Sequence, residues 1–289
     1  MHQVLAAKCE REFSWGAKMR LWSRKSNVSI PRPFSDMQMW IQIDFLVDLK
    51  ISERVACYLI NVIPFADLCE EENGNTRIIN EGDQFLGYLS YDKNNIIGKG
   101  TFKTAHLASL KWISSSPTSG LGAKISGPIA VVMKRPYEDS KQSQIVKRFN
   151  YTDESRKVIT EGTLLGWADS LLQFAYAFIN DFIAKKRPLE PPFPIPQLRF
   201  VKGAIAYSEK SLDNATKLPS SMSHRATYLL EELLPVNQQF IKYIHNADAV
   251  PLQECDEPGY EFGVFLCFIQ HVQFMCTHGQ AYISDFQGL

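Results

Sequence analysis

The chain has 289 residues, with 31 Lys+Arg against 31 Asp+Glu and a formal net charge of +0. No basic surplus points to nucleic acid or a membrane surface as a partner. Hydrophobic residues make up 45% and charged residues 21%, which excludes wholesale disorder and allows one large or two modest domains. The most apolar window, Val55 to Cys69, is broken by Asn61, Pro64 and Asp67 and falls short of the roughly 20 apolar residues that a membrane span requires.

The first residues, Met1 to Trp15, carry Glu10, Arg11 and Glu12 where a secretory signal needs an unbroken apolar stretch, which predicts a cytoplasmic protein. The cysteines at 9, 57, 69, 255, 267 and 276 include no Cys-x-x-Cys pair, so reduced thiols are expected. A basic segment (Lys18, Arg20, Arg24, Lys25) and then Pro31 and Pro33 read as a tail or linker. From Met37 to Leu68 the pattern around Trp40, Ile41, Ile43 and Phe45 fits a strand or a buried helix. A boundary near Gly82 to Gly87 divides an N-terminal extension, residues 1–87, from a domain over 88–289.

Beyond that boundary, Asn95 to Lys103 fits strand, glycine turn and strand, and Ile129 to Met133 is a short buried strand ending at Lys134. Ser114 to Gly127 is a loop. Apolar residues at three-and-four spacing predict a helix from Thr160 to Lys186, which the prolines from Pro188 onward end. Gln197 to Tyr207 and Thr227 to Leu234 read as strands, Phe262 to Phe274 as a second helix, and Ala281 to Ser284 as a last short strand presenting Asp285.

Three features suit a phosphate-handling site: a glycine turn between strands, a lysine ending an apolar strand, and an Asp-x-Gln at a strand end. Each has a plainer reading. Gly98-Lys99-Gly100 is more often a plain turn, Lys134 can be a lysine snorkelling from a strand end, and Asp285 is equally a turn cap. The ordinary protein-kinase pattern fails in its details: Gly98 and Lys134 are too far apart for a simple hairpin, no His-Arg-Asp precedes Asp285, and Gln287 stands where Gly should.

From about Tyr88 to Leu289 the motifs instead resemble, in order, those of the alpha-type protein kinases, closest to the fungal members. The most specific stretch is Glu261 to Phe274, a helix with central His271, leading to Tyr282-Ile283-Ser284-Asp285-Phe286-Gln287-Gly288. Upstream, Leu230-Glu231-Glu232-Leu233-Leu234 and Phe240-Ile241-Lys242-Tyr243-Ile244-His245-Asn246 resemble the segment joining the two lobes.

The resemblance implies an α+β, two-lobed kinase-like fold with a strand-rich N-lobe, and transfer of the γ-phosphate of ATP to a Ser or Thr of a protein substrate. Lys134 resembles the phosphate-contacting lysine, Glu161 its ion-pair partner, and Glu231 and Leu234 the adenine contacts, with Glu232 a rival to Glu231. Gly98 and Gly100 lie where strands cover the phosphates, and Lys103 replaces the family's arginine. Asp285 resembles the catalytic aspartate and Gln287 a magnesium ligand. A packed core histidine and a helix first-turn charge remain the plain readings of His271 and Glu161. The family uses the histidine as one of four zinc ligands. The rest of that site, a second metal-binding aspartate and a glycine-rich peptide-binding loop follow the family's Asp-x-Gln-Gly, beyond Leu289, so zinc is expected only if the chain continues. The other expectation is a truncated, catalytically inactive kinase-derived nucleotide-binding or scaffold protein.

Overall fold

The structure, a computed structural model, describes residues 51–70, 78–113, 116–138, 146–186, 194–209, 226–234, 240–245 and 249–288. The fold class is α+β, as expected. The basic segment from Lys18 to Lys25, Pro31, Pro33 and the Trp40 to Phe45 pattern lie outside the described residues.

Along the chain come β1 (Ile51–Ile60), α1 (Phe65–Glu70), β2 (Ile79–Tyr91), β3 (Gly98–Lys99), β4 (Lys103–Trp112) and β5 (Ile129–Pro136). Then follow α2 (Tyr151–Lys185), β6 (Gly203–Ser208), β7 (Thr227–Glu232), β8 (Ile241–Lys242), α3 (Tyr260–Cys276) and β9 (Gln287–Gly288).

Six strands close into an antiparallel ring in the order β2-β1-β6-β7-β5-β4, with β4 returning to β2. Alternation builds it: on β4, Thr104, His106, Ala108, Leu110 and Trp112 point inward while their neighbours are more exposed. Val55, Leu89, Leu110, Val131, Met133 and Leu230 meet inside as one apolar core. At the seam a Cβ on Gly87 would stand 2.9 Å from Leu110 Cδ1 and 3.1 Å from the Lys111 carbonyl, so only glycine lets β2 approach β4 so closely.

The ring corrects the expected domain boundary. β1 pairs with β2 from Ile51↔Tyr91 onward and with β6 from Val55↔Ser208, so β1 and the first part of β2, which precede that boundary, belong to the sheet. The expected strand from Gln197 to Tyr207 shrinks to Gly203–Ser208.

α2 begins nine residues earlier than its apolar spacing suggests. Asn150 caps it, its side chain accepting from the Asp153 amide at 3.0 Å, with Asp153 and Glu154 in the first turn. Glu161 therefore lies roughly three turns into the helix, and its reading as a first-turn charge is lost. The first half of α2 rests on the outside of the ring, where Val158 packs with Ile205 and Leu229. Two glycines permit that approach: a Cβ on Gly162 would lie 2.9 Å from Ile205 Cδ1, and one on Gly166 2.5 Å from Ile78 Cγ2.

The second half of α2 enters a separate core, in which Leu172, Ala175 and Ile179 join Phe265, Ile269 and Val272 of α3 and the buried Phe286. Ala281 to Ser284 is not a strand. The Ala281 and Ile283 amides donate to Thr277 Oγ1 at 3.0 Å and Gln273 Oε1 at 2.9 Å, side chains that take the place of a strand partner. The ribbon forms later, where Gln287 and Gly288 pair with Lys242 and Ile241. Among the described residues no helix is long and apolar enough to cross a membrane.

Candidate functional site

Beside α2, where it packs on the outside of β5 and β7, a cleft of about 410 Å³ opens, a volume suited to a small molecule. Lys103 enters from β4, Lys134 from β5, and Arg156, Lys157 and Glu161 from α2. The β3–β4 hairpin tip brings Phe102, 70% exposed, to its mouth. Tyr137 fixes that tip: its hydroxyl donates to the Gly100 carbonyl at 2.7 Å, its amide to Phe102 O at 3.1 Å, and Lys99 lies over its ring.

The two glycines expected to cover phosphates do less than the motif suggests. The Gly100 amide donates to Lys103 O at 2.9 Å within its own turn, and a Cβ at Gly98 or Gly100 would meet only ordinary contacts at 3.6 and 3.8 Å. Neither glycine is conformationally required there.

The ion pairs also differ from expectation. Lys134 Nζ lies 2.5 Å from Glu231 Oε2, whereas Glu161 is bonded to Lys103. Strand register decides this. Leu229 stands opposite Lys134 and Glu231 opposite Val132, which puts Glu231 one diagonal step from the lysine on the same sheet face. Glu231 thus meets the phosphate lysine itself. Its rival Glu232 is bonded to Arg199 and accepts from the Lys202 amide at 2.9 Å. Leu234 follows β7, half-buried.

Asp285 belongs to a second locus. Its backbone is left-handed, with φ 60, two residues after Ile283, whose amide Gln273 holds, and just before Phe286, whose carbonyl accepts from the Tyr243 amide at 2.9 Å. Asparagine and aspartate tolerate that region best, and such conformations persist where neighbours fix them. The half-exposed carboxylate faces Lys242, Oδ1 to Nζ at 2.5 Å. Gln287 is exposed and level with Lys242 in the ribbon. Asp285 and Gln287 offer one carboxylate and one amide oxygen, a donor set that fits magnesium when phosphates and water complete it.

Zinc does not fit the described residues. His271 is exposed on α3, and no group of three His, Cys, Asp or Glu able to hold a metal occurs among the described residues.

A polar cluster closes the ring end nearest the cleft. Arg135 Nε meets Glu154 Oε2 at 2.8 Å, Glu154 being 1% exposed, and the other carboxylate oxygen accepts from the Thr227 amide at 2.8 Å. Tyr228 donates to Glu53 Oε1 at 2.7 Å, and burial pushes its phenol well above the usual range. Arg148 Nη2 donates to Thr104 Oγ1 at 2.9 Å, and that hydroxyl lies 3.1 Å from His106 Nε2. These groups satisfy one another, so the cluster reads as structure rather than chemistry.

Sequence reasoning missed Arg156 and Lys157, and read Lys242 only as part of the segment joining the lobes, not as the partner of Asp285. Asn150-x-x-Asp153 as a helix start was the available signal for the first two, since it sets Lys157 and Glu161 four residues apart on one helix face. No family model and no curated protein matches the chain. A family reading therefore stands on the residues alone.

Proposed function

We propose that the protein is an ATP-dependent serine/threonine protein kinase of the alpha type, with the ring as its N-lobe and the α3 core as its C-lobe, acting on a protein substrate in the cytoplasm. The observation that carries this reading is the small cleft in which Lys103, Lys134, Arg156 and Lys157 converge beside the ring, a cationic cradle sized for a nucleotide's phosphates.

In this reading Lys134 contacts the phosphates and Glu231 restrains its ammonium, while Leu234 and Glu231 flank the base. Asp285 accepts the proton of the substrate hydroxyl as its oxygen attacks the γ-phosphorus and the bond to the ADP oxygen breaks. Lys242 orients that carboxylate through their ion pair. Asp285 and Gln287, together with phosphates, would hold a magnesium ion, which would supply charge neutralisation there.

A second reading, a non-catalytic nucleotide-binding or scaffold protein, is favoured by the engagement of Asp285 with Lys242. Transfer of labelled γ-phosphate to the protein itself and to casein separates the two. The wild type is expected to transfer, and Lys134→Ala and Asp285→Asn to lose at least about a hundredfold. No transfer by the wild type supports the second reading, and equal transfer by all three overturns the assigned roles.

A further inference from the structure

Among the described residues Glu161 is the single carboxylate lining the cleft, and it stands among cations. Lys103 is bonded to it, and Lys157 precedes it by one helical turn on the same face of α2. Lys134, by contrast, has its own partner in Glu231 outside the lining, and Arg156 pairs with Asp153 at 3.0 Å. Lys157 sits over the Phe149 ring at 4.7 Å to the centroid. Glu161 thus occupies the position in which an entering anion would meet Lys103 and Lys157. Its side chain is 41% exposed, so an anion reaches the same ammonium from solvent without unfolding anything.

We propose that Glu161 is a resident competitor for a polyphosphate chain: the ligand displaces it from Lys103 and binds across Lys103, Lys134 and Lys157. This deepens the nucleotide reading by assigning α2 a part in phosphate binding, but the anion site rests on the cleft and not on phosphoryl transfer. A chain of phosphates is the shared chemistry, whether borne by a nucleoside or bare. The volume of about 410 Å³ favours such a ligand over an acidic protein segment.

The consequence runs opposite to that of a helix glutamate that positions a catalytic lysine. Replacing Glu161 would strengthen ligand binding, because the competing charge is gone.

Titration calorimetry with sodium tripolyphosphate, and separately with ATP, at fixed ionic strength provides the test on the full chain. Glu161→Gln is expected to bind tripolyphosphate about fivefold tighter than wild type, the scale of a half-exposed ion pair, and Lys157→Ala about fivefold weaker. Tighter binding of ATP than of tripolyphosphate by the wild type assigns the nucleoside form, and equal binding the bare chain. Unchanged or weaker binding by Glu161→Gln, or no effect of Lys157→Ala, overturns the proposal. Tripolyphosphate binding with this pattern but no phosphate transfer to casein leaves the proposal standing and removes only the kinase.

Discussion

Lys134 on β5 and Glu231 on β7 form an ion pair across adjacent antiparallel strands, Nζ to Oε2 at 2.5 Å. Two paired strands hold it, which keeps the ammonium at the cleft independently of α2. Replacing Glu231 by Gln keeps a hydrogen-bond acceptor but removes the countercharge. The expected cost is about 1 kcal/mol, a fall of roughly 2–4 °C in the thermal midpoint. Calorimetric unfolding checks this, and a loss above about 3 kcal/mol would mark the pair as a deeply buried anchor instead.

Glu154 has a different standing, because its carboxylate is buried and carries both Arg135 and the Thr227 amide. Glu154→Ala strands the guanidinium and an amide in a closed polar cluster. Destabilisation of about 3–5 kcal/mol is expected, far more than for Glu231. Urea unfolding of the two variants side by side tests the ranking, and a reversed order contradicts the assignment of the cluster to stability.

His106 gives the fold a dependence on pH. Burial is the largest influence holding its imidazole below the ordinary value of 6.5, opposed by hydrogen bonds to the backbone of Asp92 and Asn95 and aided by Arg148 and Arg135. With its folded value depressed, the unfolded chain takes up the proton first. Stability is therefore unaffected well above pH 6.5 and falls as pH drops below it, levelling once the folded imidazole itself is protonated. His106→Gln is expected to flatten that slope between pH 6.5 and roughly pH 5, above the range where carboxylates titrate. An unchanged slope in urea midpoints measured across that window would exclude His106 as its source.

Gly166 reverses the usual helix rule. In an exposed helix Gly→Ala adds about 1 kcal/mol of stability, yet here the new methyl would meet Ile78 Cγ2 at 2.5 Å. Gly166→Ala is expected to destabilise by about 1–3 kcal/mol through overpacking. A stabilised variant in thermal unfolding would show that α2 can lift from the ring at little cost.

Much of this architecture was readable from local pattern. Ile129 to Met133 declares a buried strand, the inner apolar positions of α3 hold while Phe262 and Phe274 at its ends are exposed, and the apolar three quarters of α2 were placed correctly. What escaped depends on pairings between distant residues. Gly87 punctuates the sequence like a turn but serves a strand seam, because its missing side chain answers to Leu110. The first turns of α2 carry no apolar stripe, since Glu154 and Ser155 are buried through hydrogen bonds. At the candidate site, Lys103, Lys134, Glu161 and Glu231 were all named, but their pairing followed strand register, which no motif encodes.

The closed ring also sets an order of events for the chain. β1 cannot complete both of its ladders until Ser208 meets Val55, with the whole of α2 lying between them in sequence. Contacts of such long range make folding slow, on the order of milliseconds to seconds. During synthesis one edge of β1 stays open until β6 emerges, so a nascent chain paused within α2 exposes a strand edge that invites pairing with another copy.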